Sequence, residues 1–203
     1  GSLTDGLILY YSLDTNTIPV PDDSGNGRTG TVSSATWTLG GRIGGAYDFN
    51  GTSCYIDTGI AHLTNQFTYS AWVYGVGTVS DQDVIVGRGG AASLVVRDPN
   101  IFRIQVWTPA GWRMTDANGM ITGRWNHVVG LWDGASARVY LNGQYVSQVA
   151  ASTNREAPGY DVRNCQIGGF GPPDNQQYFG GKIDEVRIYD RALAPDEVMG
   201  LYT

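Results

Sequence analysis

The sequence predicts an all-β chain, an antiparallel β-sandwich of the jelly-roll kind with room for one short C-terminal helix. Three observations carry this. Short runs alternate apolar and polar residues with the period of two that a pleated strand imposes. Turn residues punctuate those runs at roughly even spacing, as in sandwiches and barrels. A helical period appears over a useful length only near the C-terminus.

Each element has its own justification. "GLILYYSLD" places Leu7, Leu9, Tyr11 and Leu13 on one face of a strand. "GGAYDFNGTSCYIDTG" reads as two strands about Asn50-Gly51, and "YLNGQYV" as a tight hairpin, because Asn-Gly accepts the positive φ of a type I′ turn. "WNHVVGLW" and "ARVYL" flank another turn at Asp133-Gly134. In "NIFRIQVWTPAGWRMTDANG", Phe102, Ile104 and Val106 face the core while Arg103, Gln105 and Trp107 face away. If "TPAG" closes that hairpin, Trp107 stands opposite Trp112, Gln105 opposite Met114 and Arg103 opposite Asp116, a favourable charge pair. The same register drops Arg113 on the apolar side. In "LAPDEVMGLY", Pro195 followed by Asp196 and Glu197 opens a short helix.

The 203 residues suit a single sandwich, expected to span residues 3–203, with Gly1-Ser2 read as a cloning remnant. A chain that is 41% hydrophobic and 16% charged can bury a real core. Its net charge of −6, with Lys182 the single lysine, argues against non-specific binding to nucleic acid or anionic membranes. No stretch approaches the ~20 apolar residues that span a bilayer. Cys54 and Cys165 are read as buried thiols or as a disulfide, which spacing alone does not decide. Neither has a Cys or His a few residues away, so they make no zinc cluster.

"KIDEVRIYD", residues 182–190, poses a question. Strand alternation puts Asp184 on the face of Val186 and Ile188, where an ionised carboxylate must be paired with Arg187, hydrogen-bonded by backbone N–H groups, or bound to a cation. At the other end of the chain "VPDDSGNGRTGT", residues 20–31, gathers acids, an Asn and glycines in one loop, suited either to a plain turn or to a hard cation that takes several oxygens.

In order, "DDSGNGRTGT", "IGGAYDFNG", "FTYSAWV", "RWNHVVGLWDGASARVYLNGQYV" and "GKIDEVRIYDRALAPDEV" resemble the laminin G-like jelly roll of the concanavalin A-like lectin and glucanase superfamily. The resemblance covers nearly the whole chain. It implies a structural Ca²⁺ held by Asp22, Asn26, the Thr29 carbonyl and Asp184, joining the first long loop to the last strand, with Asp23 less suited as a direct ligand.

Catalytic constellations are sparse. The chain has three glutamates, Glu156, Glu185 and Glu197, and no E-x-D-x-x-E pattern, so the paired carboxylates of a retaining glycosidase are not evident. "DQD" at 81–83 has alternate spacing but lacks a third acid and reads as solvated turn acids. His62 and His127 are the only histidines, and neither sits in a nucleophile motif. The expectation is therefore no enzyme.

Trp107 and Trp112, sharing a face with Arg103 and Gln105, read as a sugar platform: an aromatic face covers the apolar side of a pyranose while polar groups bind its hydroxyls. A cross-strand pair that merely stabilises the hairpin is the plainer alternative. Arg88 and Arg97 extend the patch, which permits an anionic glycan. The loop "GGFGPPDNQQYFGG" offers Asp174, Asn175, Gln176 and Tyr178 at its edge. The resemblance implies core packing for Trp72, Trp125 and Trp132.

The sequence-level expectation is a non-catalytic carbohydrate-binding module with a structural calcium. Its partner would be a polysaccharide or oligosaccharide, with no nucleic acid and no membrane insertion. It would be attached to neighbouring domains of a larger secreted or cell-surface protein that acts on glycans. The alternative is an adhesion or spacer domain binding protein or nothing; a glycoside hydrolase or polysaccharide lyase ranks third.

Overall fold

A computed structural model describes residues 1–75, 82–97, 100–151, 163–172 and 176–203. The strands in chain order are β1 (Leu7–Tyr11), β2 (Thr31–Ser33), β3 (Thr36–Thr38), β4 (Ala46–Asn50), β5 (Tyr55–Asp57), β6 (Phe67–Gly75), β7 (Asp83–Arg88) and β8 (Ala92–Arg97). They continue with β9 (Ile101–Thr108), β10 (Gly111–Asn118), β11 (Trp125–Trp132), β12 (Ser136–Leu141), β13 (Gln144–Ala150), β14 (Gln166–Ile167) and β15 (Gly180–Tyr189), followed by α1 (Pro195–Tyr202).

Two antiparallel sheets form the sandwich. The first runs β13-β12-β11-β6-β15-β4-β3, with β1 also paired to β15; the second runs β10-β9-β8-β7-β14-β5-β2. Their inner faces meet in one large apolar cluster that includes Leu9, Tyr11, Phe49, Ile56, Tyr69, Leu94, Phe102, Ile104, Trp132, Val186 and Ile188. The first and last strands are therefore partners: Tyr10 lies opposite Arg187 and Tyr11 opposite Val186.

Turn chemistry decides several connections. Asn142 and Gly143 take φ of 50° and 77°, and Leu141 pairs with Gln144, the two-residue hairpin that Asn-Gly specifies. Asn50-Gly51 does something else. Asn50 Oδ1 accepts the N–H groups of Thr52 and Ser53, and the chain crosses between layers, so β4 and β5 belong to different sheets. Phe49 and Ile56 consequently enter the same core from opposite sides. Leu7 also departs from expectation. A register shift between Leu7 and Leu9 turns Leu7 to the outer face, where it packs with Val129, Leu131, Tyr189, Leu193, Val198 and Leu201.

That outer cluster seats α1. Pro195 occupies the first turn, and Glu197 accepts the Ala194 N–H at 2.8 Å while taking two 2.7 Å hydrogen bonds from Arg191. Burial of Val198 and Leu201 contributes roughly 1.5–3 kcal/mol for each side chain.

Candidate functional site

The buried carboxylate of Asp184 is met by backbone. Its Oδ2 accepts the N–H groups of Arg42 at 2.7 Å and Ile43 at 3.1 Å, and its Oδ1 accepts that of Glu185 at 2.8 Å. The face differs from expectation. Glu185 takes a φ of 52° and the register shifts between Asp184 and Arg187, so Asp184 pairs with Trp72 on the outer side while Ile183, Val186 and Ile188 keep the core. This bulge sits where β15 exchanges one neighbour for another, pairing with β4 through Ile183 and with β1 from Val186. Burial above all pushes the Asp184 carboxyl up to about 7, against the lowering effect of its N–H donors.

Asp22 organises the 20–31 loop. Its Oδ1 accepts from the Tyr10 N–H, the Ser24 N–H and the Ser24 hydroxyl, and its Oδ2 accepts from the Arg28 N–H. Burial opposes its ionisation, but these donors outweigh that and hold the carboxyl below the usual range. Asn26 joins the network by donating to Ser24 Oγ and to the Leu7 carbonyl. Thr29, in the same loop, also lines a recess of about 390 Å³ with Asp57 and Asn164. Among the described residues no three His, Cys, Asp or Glu side chains gather as a metal site. Asp22 and Asn26 suit a cation in kind, since Asp22 Oδ2 carries a single N–H. Asp184 does not, because three N–H dipoles converge on it and none comes from the Asp22 loop.

The Trp hairpin has the register read from sequence: Trp112 opposite Trp107, Met114 opposite Gln105, Asp116 opposite Arg103. The two indoles meet edge to face, centroids 5.4 Å apart at 72°. Arg103 grips Asp116 with two hydrogen bonds of 2.6 and 2.9 Å. Opposed residues then trace a polar row across the outer face of the second sheet, from Gln105 through Ser93, Gly87, Gln166 and Asp57 to Thr31. Gln105 donates to Ser93 Oγ and is buried, as is Gln166. Among the described residues the row opens at its two ends, at exposed Met114 opposite Gln105, next to the tryptophans, and at Thr31 beside the Asp57 recess.

The remaining predicted contacts separate. Arg97 pairs with Ile101 and shares the face of Arg103. Arg88 does not: it opposes Ala92, which opposes Val106, as Arg113 also does, so Arg88 and Arg113 lie on the core-side row at the end of the sandwich. Tyr178 is buried and bridges to Val84, whose side chain packs with Val95 and Phe170. Its side chain is packed rather than presented on an open rim. Asn175 and Asp174 lie outside the described residues.

His127 Nε2 lies 2.9 Å from the Ser70 hydroxyl, a pairing that invites a catalytic reading. Both side chains are buried, and among the described residues Nδ1 has no hydrogen-bond partner, so no acid there orients the ring as a triad requires. Burial first, then the charges of Arg187 and Arg42, lowers its pKa to about 3, leaving the imidazole neutral. Asp83 is buried in β7, and Asp81 lies outside the described residues. Cys54 and Cys165 are buried free thiols, and burial pushes Cys165 up to about 12.

A cavity of about 470 Å³ on the outer face of the first sheet was not legible in the sequence. Tyr10, Arg42, Trp72, Glu185, Arg187 and Tyr202 line it. Arg187 stacks 3.9 Å over the Tyr10 ring and pairs with Glu185 at 2.8 Å, while the Tyr10 hydroxyl donates to Glu185. Arg42 stacks 4.4 Å over Trp72, whose indole also stacks with Tyr202. These residues come from five separate segments, so no local motif announces them.

The sandwich has close structural counterparts. Domain 4 of AbnA, a GH43 extracellular arabinanase from Geobacillus stearothermophilus solved with arabinotriose, matches with a TM-score of 0.75 at 24% identity, covering 97% of this chain and 98% of that one. The binding domain of Paraclostridial Mosquitocidal Protein 1 matches with a TM-score of 0.74 at 18% identity, covering 99% of this chain and 52% of that chain. A Trypanosoma rangeli sialidase mutant matches at 0.71 and 19% identity, covering 98% of this chain and 33% of that one. These likenesses establish the fold. No curated protein matches the chain. The Laminin_G_3 family profile, of the concanavalin A-like lectin/glucanases superfamily, matches residues 50–199. The chain belongs to this laminin G-like family of concanavalin A-like jelly rolls.

Proposed function

We propose that this chain is a non-catalytic carbohydrate-binding module that docks a polysaccharide at Trp107 and Trp112, within a larger secreted or cell-surface protein that acts on glycans. The observation that carries the reading is the cross-strand tryptophan pair, set on a rigid ladder beside the Arg103–Asp116 pair at the open end of a polar row. A pre-organised aromatic surface loses little conformational freedom on binding. The structural likeness to an arabinanase domain solved with arabinotriose supports a glycan as partner. Arg97 and Arg103 on the same face favour a glycan carrying carboxylate or sulfate groups. Attachment to neighbouring domains would raise weak single-site binding through effective concentration. Among the described residues, no helix is long and apolar enough to cross a membrane.

A broad glycan panel, including arabinotriose, tests the proposal on the purified chain. Retention of at least one glycan class, lost in Trp112→Ala, is the expected result; no retention of any glycan would favour an adhesion or spacer domain. The half-length match to a toxin binding domain favours that second reading.

A structural Ca²⁺ is part of the proposal in a reduced form, held by Asp22, Asn26 and the Thr29 carbonyl without Asp184. Bound to the folded state alone, it would stabilise the chain by mass action. Chelation should lower the Tm and added Ca²⁺ restore it. An unchanged Tm in both directions would remove calcium from the proposal.

A further inference from the structure

We propose that the 470 Å³ cavity on the outer face of the first sheet is a second binding site, taking a single sugar acid: a ligand with one carboxylate and several hydroxyls. Its volume lies within the ~300–1,000 Å³ of small-molecule sites. The two guanidinium groups in its wall are held differently. Arg187 is answered by Glu185 and sits 3.9 Å over the Tyr10 ring. Arg42 sits over Trp72, its guanidinium carbon 4.4 Å from the ring centroid, and has no carboxylate partner among the described residues. Its backbone N–H is spent on Asp184, which anchors the main chain and leaves the side chain to the cavity.

A planar guanidinium stacked on an aromatic ring is pre-organised to take a carboxylate through two parallel N–H donors. The rest of the wall supplies what a hydroxylated ring needs. Tyr202 and Leu3 offer apolar surface, and Asp23, with one oxygen taken by the Ser12 N–H, offers its other oxygen to hydroxyl donors. Both guanidinium groups are felt under the cavity floor: burial first, then Arg187 and Arg42, lowers the pKa of His127 beside Trp72, while Glu185 answers Arg187 and Asp23 stands across the wall. A neutral sugar would leave Arg42 unanswered, whereas a carboxylate completes it. This site is independent of the tryptophan hairpin, which lies on the other sheet.

The test is a ¹H–¹⁵N titration of the full chain with sodium glucuronate, with glucose and sodium acetate as the neutral and bare-anion controls. Glucuronate should shift the Trp72 indole N–H saturably at millimolar concentration, about tenfold more tightly than either control. Arg42→Ala, which keeps the backbone N–H bound by Asp184, should abolish the shift. Tyr202→Ala, at the end of the C-terminal helix, should weaken binding without touching that anchor, and Trp112→Ala should leave binding unchanged. Absence of a saturable shift, equal affinity for acetate or glucose, or unaltered binding in both Arg42→Ala and Tyr202→Ala would overturn the proposal. Loss in Trp112→Ala alone would instead place glucuronate on the hairpin and equally overturn it.

Discussion

Trp107 and Trp112 stand directly opposite each other on the β9–β10 ladder, with ring centroids 5.4 Å apart. An edge-to-face pair of this kind adds about 0.5–1.5 kcal/mol beyond its buried area. Trp112→Ala should therefore do two things at once. Glycan affinity should fall at least about tenfold, and the urea midpoint should drop modestly with the m-value unchanged. A large stability loss with intact binding would mark the pair as packing alone.

Asp116→Asn isolates the neighbouring ion pair. Arg103 and Asp116 are partly exposed, at 13% and 31%, so the pair contributes less than about 1 kcal/mol to stability. Denaturation should barely move. If the glycan is anionic, binding should hold, because the substitution removes a negative charge from the face that carries Arg103 and Arg97; a sharp loss of affinity would show that Asp116 itself contacts the ligand.

Asp184→Asn should be far more damaging. An amide keeps one acceptor oxygen where the carboxylate serves three N–H donors, so at least one of the Arg42, Ile43 and Glu185 groups is left facing an N–H₂. Leaving a buried donor unsatisfied costs about 1–3 kcal/mol. Denaturation in urea measures it, and a change below 0.5 kcal/mol, roughly the noise of surface substitutions, would contradict this role.

The pH dependence of stability has a defined sign at His127. Its folded pKa is about 3 against an ordinary 6.5, so between those values the unfolded chain binds more protons. The contribution is full above pH 6.5 and is lost as the pH falls toward 3. Asp184, raised to about 7, works the opposite way: protonation as the pH falls from 7 toward its ordinary 3.8 favours the folded state. That contribution is common to both proteins and cancels in the difference. Unfolding free energy of wild type and His127→Gln at pH 7.5, 5.5 and 4 should converge as the pH falls; parallel curves would mean that the imidazole is not held neutral.

Much of the fold was legible because ladder parity is rigid. One turn at Thr108 to Gly111 fixed every pairing of the tryptophan hairpin, and Asn142-Gly143 fixed the first pairs of the next, up to the register shift between Val139 and Tyr140. Parity misleads wherever a bulge inserts a residue. Glu185 adopts a left-handed φ without being glycine, a state with no sequence signature, and it moved Asp184 to the opposite face. Arg88 was grouped with Arg103 by closeness in the chain, although the pairing of β7 with β8 places it on the other side. The cavity needs Arg42, Tyr202 and Arg187 brought together by the fold, and each is locally unremarkable.

Calorimetric titration of a glycan identified by the panel, into wild type and into Trp107→Ala/Trp112→Ala, measures the hairpin's role most directly. Saturable heats in the wild type that vanish in a still-folded double variant are the predicted result. Equal heats in both proteins would contradict the docking of polysaccharide at this pair.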